Sequence, residues 1–99
     1  MDQQTTAEVT SYIEEYHRRL EFERAHIHLQ GVGWVPAKLG SDLQVGDVLM
    51  WNFGYTGTIK DITPSKSGKT LQVVTVSSFD GKEYTRKMSA SAKYGVAAS

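Results

Sequence analysis

The hydrophobic periodicity of this chain changes near residue 31, and this change constrains the fold more than any other sequence feature. Before it, Val9, Ile13, Tyr16, Leu20 and Ile27 recur at the spacing of one helix face. After it, apolar and polar residues alternate over short runs, as they do in half-buried strands. The pattern predicts an α+β protein in which one amino-terminal amphipathic helix precedes a small antiparallel sheet.

The predicted helix covers residues 5–29. Its start is indicated by Thr5-Thr6-Ala7-Glu8, which has the form of a capping box, in which Thr and Glu satisfy each other's backbone N–H groups. Its end is indicated by Gly31 and Gly33, because glycine costs about 1 kcal/mol inside a helix, and by the proline at position 36.

The second half of the chain predicts a small SH3-like β-barrel over residues 43–97. Asp80-Gly81 lies between two alternating runs, and Asp-Gly in that position is a strong hairpin signal. The strands predicted in this way are 45–51, 55–62, 70–79 and 82–88, with a short fifth strand at 94–97. At 99 residues the chain is expected to form a single domain, residues 1–99.

The amino-acid composition indicates the cellular compartment in which the protein is expected. The chain has no cysteine, which excludes disulfides, thiolate zinc sites and cysteine nucleophiles and fits a reducing compartment. No stretch approaches the roughly 20 apolar residues that span a bilayer. We therefore expect a cytoplasmic protein with no membrane partner.

Catalytic and cofactor motifs give little support to an enzyme. Ser67-Gly68-Lys69-Thr70 ends as a phosphate-binding loop does, but Thr63 stands where the motif needs its first glycine. The Gly-x-Ser-x-Gly pattern of a nucleophile elbow does not occur. The sequence predicts a non-enzymatic protein with no cofactor and no small-molecule substrate.

The three histidines are candidate metal ligands, and His26 and His28 would share one face if their segment were extended. On the predicted helix, His26 and His28 diverge by about 200°, whereas His17 and His28 align with Arg24 between them. A cation at that position disfavours metal binding, while positively charged histidines suit the carboxyl end of a helix. No metal site is predicted.

A longer run carries a family resemblance. Gly46-Asp47 precedes an apolar strand, Gly54 and Gly57 bracket a tight loop, and a second strand resumes toward Ile62. Residues 45–62 thereby resemble the KOW motif of ribosomal and transcription-elongation proteins. The resemblance implies an SH3-like barrel that binds nucleic acid or a protein partner. The wider pattern from Asp42 to Arg86 also resembles small accessory proteins of phages and mobile elements.

Aromatic and basic residues in this half are the candidate nucleic-acid-binding residues. Trp51, Phe53 and Tyr55 alternate, so they share one face if the segment is extended. The accompanying cations are Lys60, Lys66, Lys69, Lys82, Arg86 and Lys87. Aromatic rings stack on bases and cations neutralise phosphates. The alternative reading is that the rings fill a core and the cations protect strand edges.

The alternative function is protein interaction or assembly, with self-association through the helix. A helix of about 23 residues reaches roughly 34 Å, longer than a small barrel needs. Phe22 lies opposite the apolar stripe at helical spacing. The candidate interface residues are Phe22, Tyr12, Tyr16 and Leu20.

The zero net charge of the chain hides an uneven distribution that bears on both functions. Residues 1–30 hold six acids and three bases, whereas residues 31–99 hold five acids and eight bases. An acidic helix and a basic sheet can attract each other within or between chains, or leave the sheet free for an anionic partner.

Overall fold

The computed structural model describes residues 3–97, with side chains from residue 11 onward. Helix α1 spans Gln3–Ala25, and all the strands follow it. The strands are β1 His26–Leu29, β2 Gly33–Leu39, β3 Val48–Met50, β4 Thr56–Pro64, β5 Thr70–Ser77, β6 Glu83–Ser89 and β7 Lys93–Val96. The α+β class predicted from the change in periodicity is confirmed.

The strands form one antiparallel sheet in the order β1-β2-β7-β3-β4-β5-β6. Within residues 3–97 the two edge strands, β1 and β6, do not pair with each other, so the sheet is open and a closed barrel is not shown. The sheet also begins at His26, well before the predicted boundary at residue 43.

One face of the sheet, called here the inner face, carries the main hydrophobic core. Its buried side chains are Leu43, Leu49, Ile59, Leu71, Val73, Met88 and Val96. A register shift in β4 at Lys60 places Ile59 opposite Thr75 and Ile62 opposite Val73. Because an inserted residue reverses the alternation of a strand, both isoleucines face the core although they are three residues apart.

The prediction that the helix continues to residue 29 is wrong beyond Ala25. His26–Leu29 instead pairs with Gly33–Pro36 as an antiparallel hairpin. Its turn contains Gly31 at φ 75°, a left-handed conformation that glycine adopts without a steric cost. The hairpin is stabilised by packing, because Leu29 and Val35 are buried close to the backbone of Gly95 on β7.

The start of α1 also differs from the prediction. The helix begins at Gln3, ahead of the predicted capping box, whose side chains lie outside the described residues. Farther along, Arg18 and Glu14 form an exposed i,i+4 ion pair at 3.9 Å. Such pairs contribute only about 0.3–0.5 kcal/mol, so this pair does not by itself hold the helix in place.

The hairpin predicted at Asp80-Gly81 is confirmed, with a longer loop than expected. The β5–β6 ladder ends at the pair Val76 and Glu83, and the Ser77 N–H donates to Lys82 O at 2.9 Å. The strand predicted to reach residue 79 therefore stops at Ser77, which leaves Phe79 in the loop.

A close backbone contact fixes the end of β2 against the connection between β6 and β7. The Gly40 N–H donates to Ala92 O at 2.9 Å, and a side-chain carbon on Gly40 would lie 2.1 Å from Ser89 O. Only glycine fits there, so Gly40 allows the end of β2 to lie against the connection between β6 and β7.

The carboxyl-terminal end of helix α1 meets the sheet. The Phe22 ring and the ring of Trp34 on β2 pack edge to face with centroids 5.5 Å apart, and Lys93 of β7 donates to the carbonyl oxygens of Glu23 and His26. A lysine at this position satisfies free carbonyls and suits the negative end of the helix dipole. Within residues 3–97, no helix combines the length and apolar character needed to cross a membrane.

Candidate functional site

The inner face beyond the main core presents an arginine stacked on a tryptophan. Arg86 lies opposite Val73 in the β5–β6 ladder, and directly opposed residues point to the same face. The Arg86 guanidinium carbon is 4.3 Å from the centroid of the Trp51 ring. This cation–π contact, worth about 0.5–2 kcal/mol, holds a positive charge over an aromatic surface.

Two exposed aromatic rings stand beside this pair. Tyr55 is 56% exposed and Phe79 is 81% exposed, and their rings meet edge to face at 6.0 Å. The loop that carries Phe79 is tied to the start of β4, because the Ser78 N–H donates to Thr56 O at 3.1 Å. The Ser78 hydroxyl also hydrogen bonds with the Thr56 hydroxyl. These bonds hold the loop of Phe79 next to Tyr55, so the two rings lie close together although they face solvent.

Tyr84 completes the aromatic group and is oriented by a carboxylate. Its hydroxyl donates to Asp80 Oδ2 at 2.6 Å, and the Lys82 N–H donates to Asp80 Oδ1 at 2.9 Å. These two hydrogen bonds lower the pKa of Asp80, and the bond to Asp80 raises the pKa of Tyr84. At neutral pH Asp80 is therefore ionised and Tyr84 keeps its proton.

These side chains line two adjacent concavities, which are together called here the aromatic groove. The smaller, of about 190 Å³, is bounded by Trp51, Tyr55, Phe79, Tyr84 and Arg86. The larger and wider one, of about 600 Å³, shares Trp51, Tyr55 and Arg86 and is also lined by His28 and Lys93. Aromatic surfaces and a cation therefore share one open concavity.

Phe53 is not part of this groove, so the prediction that Trp51, Phe53 and Tyr55 share one face is wrong for Phe53. Residues Asn52–Gly54 form a short 3₁₀ turn instead of an extended segment, and Phe53 has φ 66°. The Phe53 N–H donates to Gln30 O at 2.6 Å, and its ring lies against Gly31. Phe53 therefore joins this turn to the β1–β2 hairpin.

Of the six predicted cations, the structure places Arg86 in the groove. Lys82 lies in the loop that also carries Phe79 and Asp80. Lys60 forms an ion pair with Glu83, and this hydrogen-bonded contact raises the Lys60 pKa.

The remaining predicted cations lie elsewhere. Lys87 follows Arg86 on β6. Because successive residues of a strand point to opposite faces, Lys87 lies on the face opposite Arg86, called here the outer face. Lys66 and Lys69 are in the loop between β4 and β5. The nine residues of β4 separate that loop from the groove by roughly 26 Å.

Several groove residues were missed from the sequence. Phe79 and Tyr84 flank the predicted hairpin tip, and Tyr84, Arg86 and Met88 alternate, which is a signal that they share a face. Thr75, opposite Tyr84, is a buried polar residue at 3% exposure and donates to Tyr84 O at 3.5 Å. No local pattern connects Lys93 with this site.

The predicted interface residues fall into two groups. Phe22 is at the base of α1, where it stacks on His26 at 3.9 Å and contacts Trp34. Leu20 is half-buried. Tyr12 and Tyr16 are exposed on residues 11–19 of the helix, called here the outer turns.

The histidines also differ from their predicted placement. His26 and His28 are on β1, not on a helix. His26 Nδ1 is 2.7 Å from Phe22 O, and the His28 ring meets the edge of Trp34 at 5.4 Å. Among the residues that the structure describes, no group of three or more His, Asp or Glu side chains could hold a metal ion.

Comparisons of the chain with protein-family models, with curated proteins and with solved structures found no match.

Proposed function

We propose that this protein is a non-enzymatic module that binds single-stranded nucleic acid in the aromatic groove. The observation that carries the proposal is the Arg86–Trp51 stack with Tyr55, Phe79 and Tyr84 around one open concavity. Each ring contacts a neighbouring side chain, so the surface is partly organised before any ligand arrives.

The chemistry of the groove suits bases that are not paired. Every base has an aromatic face, and stacking on a protein ring contributes about 1–3 kcal/mol per base. Tyr55 and Phe79 present exposed ring surface for such contacts. In a duplex these base faces are stacked on each other, which favours a single strand as the ligand.

The charge of the groove sets the expected salt dependence. Arg86 lines the groove and Lys82 lies in its bordering loop, whereas Lys93, at the wider end, is hydrogen bonded to the carbonyls of Glu23 and His26. Contact with about two phosphates gives a log–log salt slope of about −1.4 for a single strand. The affinity should therefore depend more on stacking than on charge.

Tryptophan fluorescence tests the proposal. The chain has two tryptophans, and Trp34 packs on Phe22 at the base of α1, so Trp34→Phe leaves Trp51 as the sole reporter. Addition of oligothymidylate should quench Trp51 at low salt, and a duplex of equal length should quench it much less. Unchanged fluorescence at low salt, or equal binding of both ligands, contradicts the proposal.

Protein interaction or assembly through α1 is the second candidate function. It is favoured by the exposed apolar side chains on the outer turns of the helix, including Tyr12 and Tyr16. The two functions are compatible, because none of the α1 side chains that the structure describes, residues 11–25, lines the groove. SH3-like closure of the sheet, the KOW-like and phage-like resemblances and a cytoplasmic location stay predictions.

A further inference from the structure

The smaller concavity of the aromatic groove contains a carboxylate, which is unexpected beside a chain of phosphates. Among the described residues that line the two concavities, Asp80 is the only one with an acidic side chain. Because like charges repel, Asp80 does not contribute to the binding of phosphate. An acidic side chain among stacking rings is suited instead to a part of the ligand that donates hydrogen bonds.

Two hydrogen bonds orient Asp80 and leave it able to accept more. Its Oδ2 accepts the Tyr84 hydroxyl at 2.6 Å, and its Oδ1 accepts the Lys82 N–H at 2.9 Å. Each carboxylate oxygen can accept a second hydrogen bond. The same contacts lower the pKa of Asp80, so at neutral pH the group is ionised and acts only as an acceptor.

Arg86 supplies the opposite chemistry at the same concavity. Its stack on Trp51 covers one face of the guanidinium, whereas the five N–H donors lie in the guanidinium plane. Tyr84 and Arg86 are two residues apart on β6, roughly 7 Å along the strand. Both charged groups act on the Tyr84 hydroxyl, since the hydrogen bond to Asp80 raises its pKa and the charge of Arg86 lowers it. The concavity therefore presents one group that only accepts and one that only donates.

Of the common bases, guanine matches both groups. Its O6 and N7 are acceptors on one edge, which arginine binds with two hydrogen bonds in the commonest base-specific contact of DNA-binding proteins. Its N1–H and N2 amino groups are adjacent donors, which match the two oxygens of a carboxylate. Thymine and uracil flank their single N3–H with two carbonyl oxygens, which a carboxylate repels. Adenine and cytosine each place an acceptor nitrogen beside the amino group.

We propose that the smaller concavity binds one guanine of a single-stranded nucleic acid, with Asp80 at the N1–H and N2 amino edge and Arg86 at the O6 and N7 edge. This inference rests on the proposed function and adds a base preference to it. The exposed rings of Tyr55 and Phe79 border the same position. A volume of about 190 Å³ is below the roughly 300–1,000 Å³ of pockets that hold a drug-sized ligand, which suits a single base.

Base analogues test the proposal without any change to the groove. The Trp34→Phe chain, with Trp51 as the reporter, is titrated with oligothymidylates of equal length whose central base is guanine, hypoxanthine or 7-deazaguanine. Hypoxanthine lacks only the N2 amino group, and 7-deazaguanine lacks only the N7 acceptor. Each analogue should weaken binding by about fivefold or more relative to guanine, because each removes half of a two-bond contact.

The outcome separates the base preference from the proposed function. If the guanine and hypoxanthine oligonucleotides bind equally well, the guanine proposal is overturned, while binding of plain oligothymidylate still supports the proposed function. If no oligonucleotide quenches Trp51 at low salt, both are overturned.

Asp80→Asn tests the role of the carboxylate, because the amide presents a donor in place of one acceptor oxygen. The ratio of the guanine affinity to the hypoxanthine affinity should fall to about one. Asp61→Asn is the matched control and should keep the wild-type ratio. Asp61 pairs with Val74 in the β4–β5 ladder, next to the core residue Val73, and therefore lies on the outer face. If Asp80→Asn weakens binding of both oligonucleotides by the same factor, Asp80 acts only through the structure of its loop and the proposal is overturned.

A free nucleotide is the other possible source of a guanine base. Guanosine monophosphate lacks the neighbouring bases that stack on the exposed rings. Its affinity should therefore be lower than that of the guanine oligonucleotide by at least about tenfold. Equal or tighter binding of guanosine monophosphate overturns the placement of this base within a single strand.

Discussion

The aromatic groove and the outer turns of α1 both expose large aromatic side chains, but only the groove holds them through tertiary contacts. Arg86 stacks on Trp51, the Tyr55 and Phe79 rings contact each other edge to face, and Tyr84 donates a hydrogen bond to Asp80. The tyrosines of the outer helix project from a segment whose residues are all exposed. The two regions therefore differ in how their rings are held and not in whether the rings are exposed. Rings fixed in advance bind a ligand at lower entropic cost, whereas rings on an uncovered helix need a partner to bury them.

The largest expected effect is a loss of stability from a substitution in the core of the sheet that supports the groove. Leu49 is fully buried at 0% exposure, so Leu49→Ala should lower the free energy of unfolding by about 2–5 kcal/mol. Ile13→Ala on the outer helix should lower it by no more than about 0.5 kcal/mol when the chain is dilute. Urea unfolding at low micromolar concentration measures both values. Equal losses in the free energy of unfolding would show that the outer turns of the helix are packed as tightly as the sheet.

The next effect compares aromatic rings of the two regions. Phe79→Ala and Tyr55→Ala should each weaken oligothymidylate binding by about 1–3 kcal/mol, roughly 5-fold to 150-fold, because each removes a stacking surface. Tyr12→Ala removes an equally exposed ring from the helix and should leave binding unchanged. Fluorescence titration gives the three dissociation constants. If Tyr12→Ala weakens binding as much as the groove variants do, the distinction between the groove and the helix is contradicted.

A smaller effect compares the two faces of β6. Arg86→Ala should make the log–log salt slope of binding shallower by about 0.7, because one phosphate contact is lost. Lys87→Ala removes the same charge from the next residue, on the opposite face, and should leave the slope unchanged. Titrations at four or more salt concentrations resolve the two slopes. If Lys87→Ala alters the slope and Arg86→Ala does not, the ligand lies on the outer face.

The smallest effect concerns the Asp80–Tyr84 contact. Since the pKa of Asp80 is lowered by folding, its contribution to stability is present above the ordinary carboxyl pKa of about 3.9 and is lost as the pH falls through the lowered value. The difference in urea midpoint between wild type and Asp80→Asn should therefore be present at pH 6 and shrink toward pH 2. A difference that grows on acidification would show that the carboxylate is not stabilised by this contact.

Periodicity predicted the helix and the strands after residue 43, but it predicted neither β1 nor the seven-residue β2. It failed at His26–Leu29, a strand of four residues in which Ile27 also fits the helical spacing. What decides this segment is non-local. Leu29 and Val35 are buried next to Gly95, more than sixty residues along the chain from Leu29.

The candidate site was predictable to the extent that it follows from strand alternation. Trp51, Tyr55 and Arg86 come together as the aromatic and basic pattern suggested. Phe53 does not, because the 3₁₀ turn breaks the alternation. Lys60 is paired with Glu83 across the sheet, a contact that depends on strand order and register and not on local sequence. Phe79 reaches the site through the loop between β5 and β6, and Lys93 reaches it through the order of the strands in the sheet. Neither position follows from local sequence.

Amide and indole chemical shifts on titration with oligothymidylate test the central claim most directly, because they report each region of the chain at once. We predict shifts concentrated at Trp51, Tyr55, Phe79 and the neighbours of Arg86, with little change at Lys66, Lys69 and Lys87. Shifts that cluster at those three lysines instead, or no shifts at low salt, would contradict the assignment of binding to the aromatic groove.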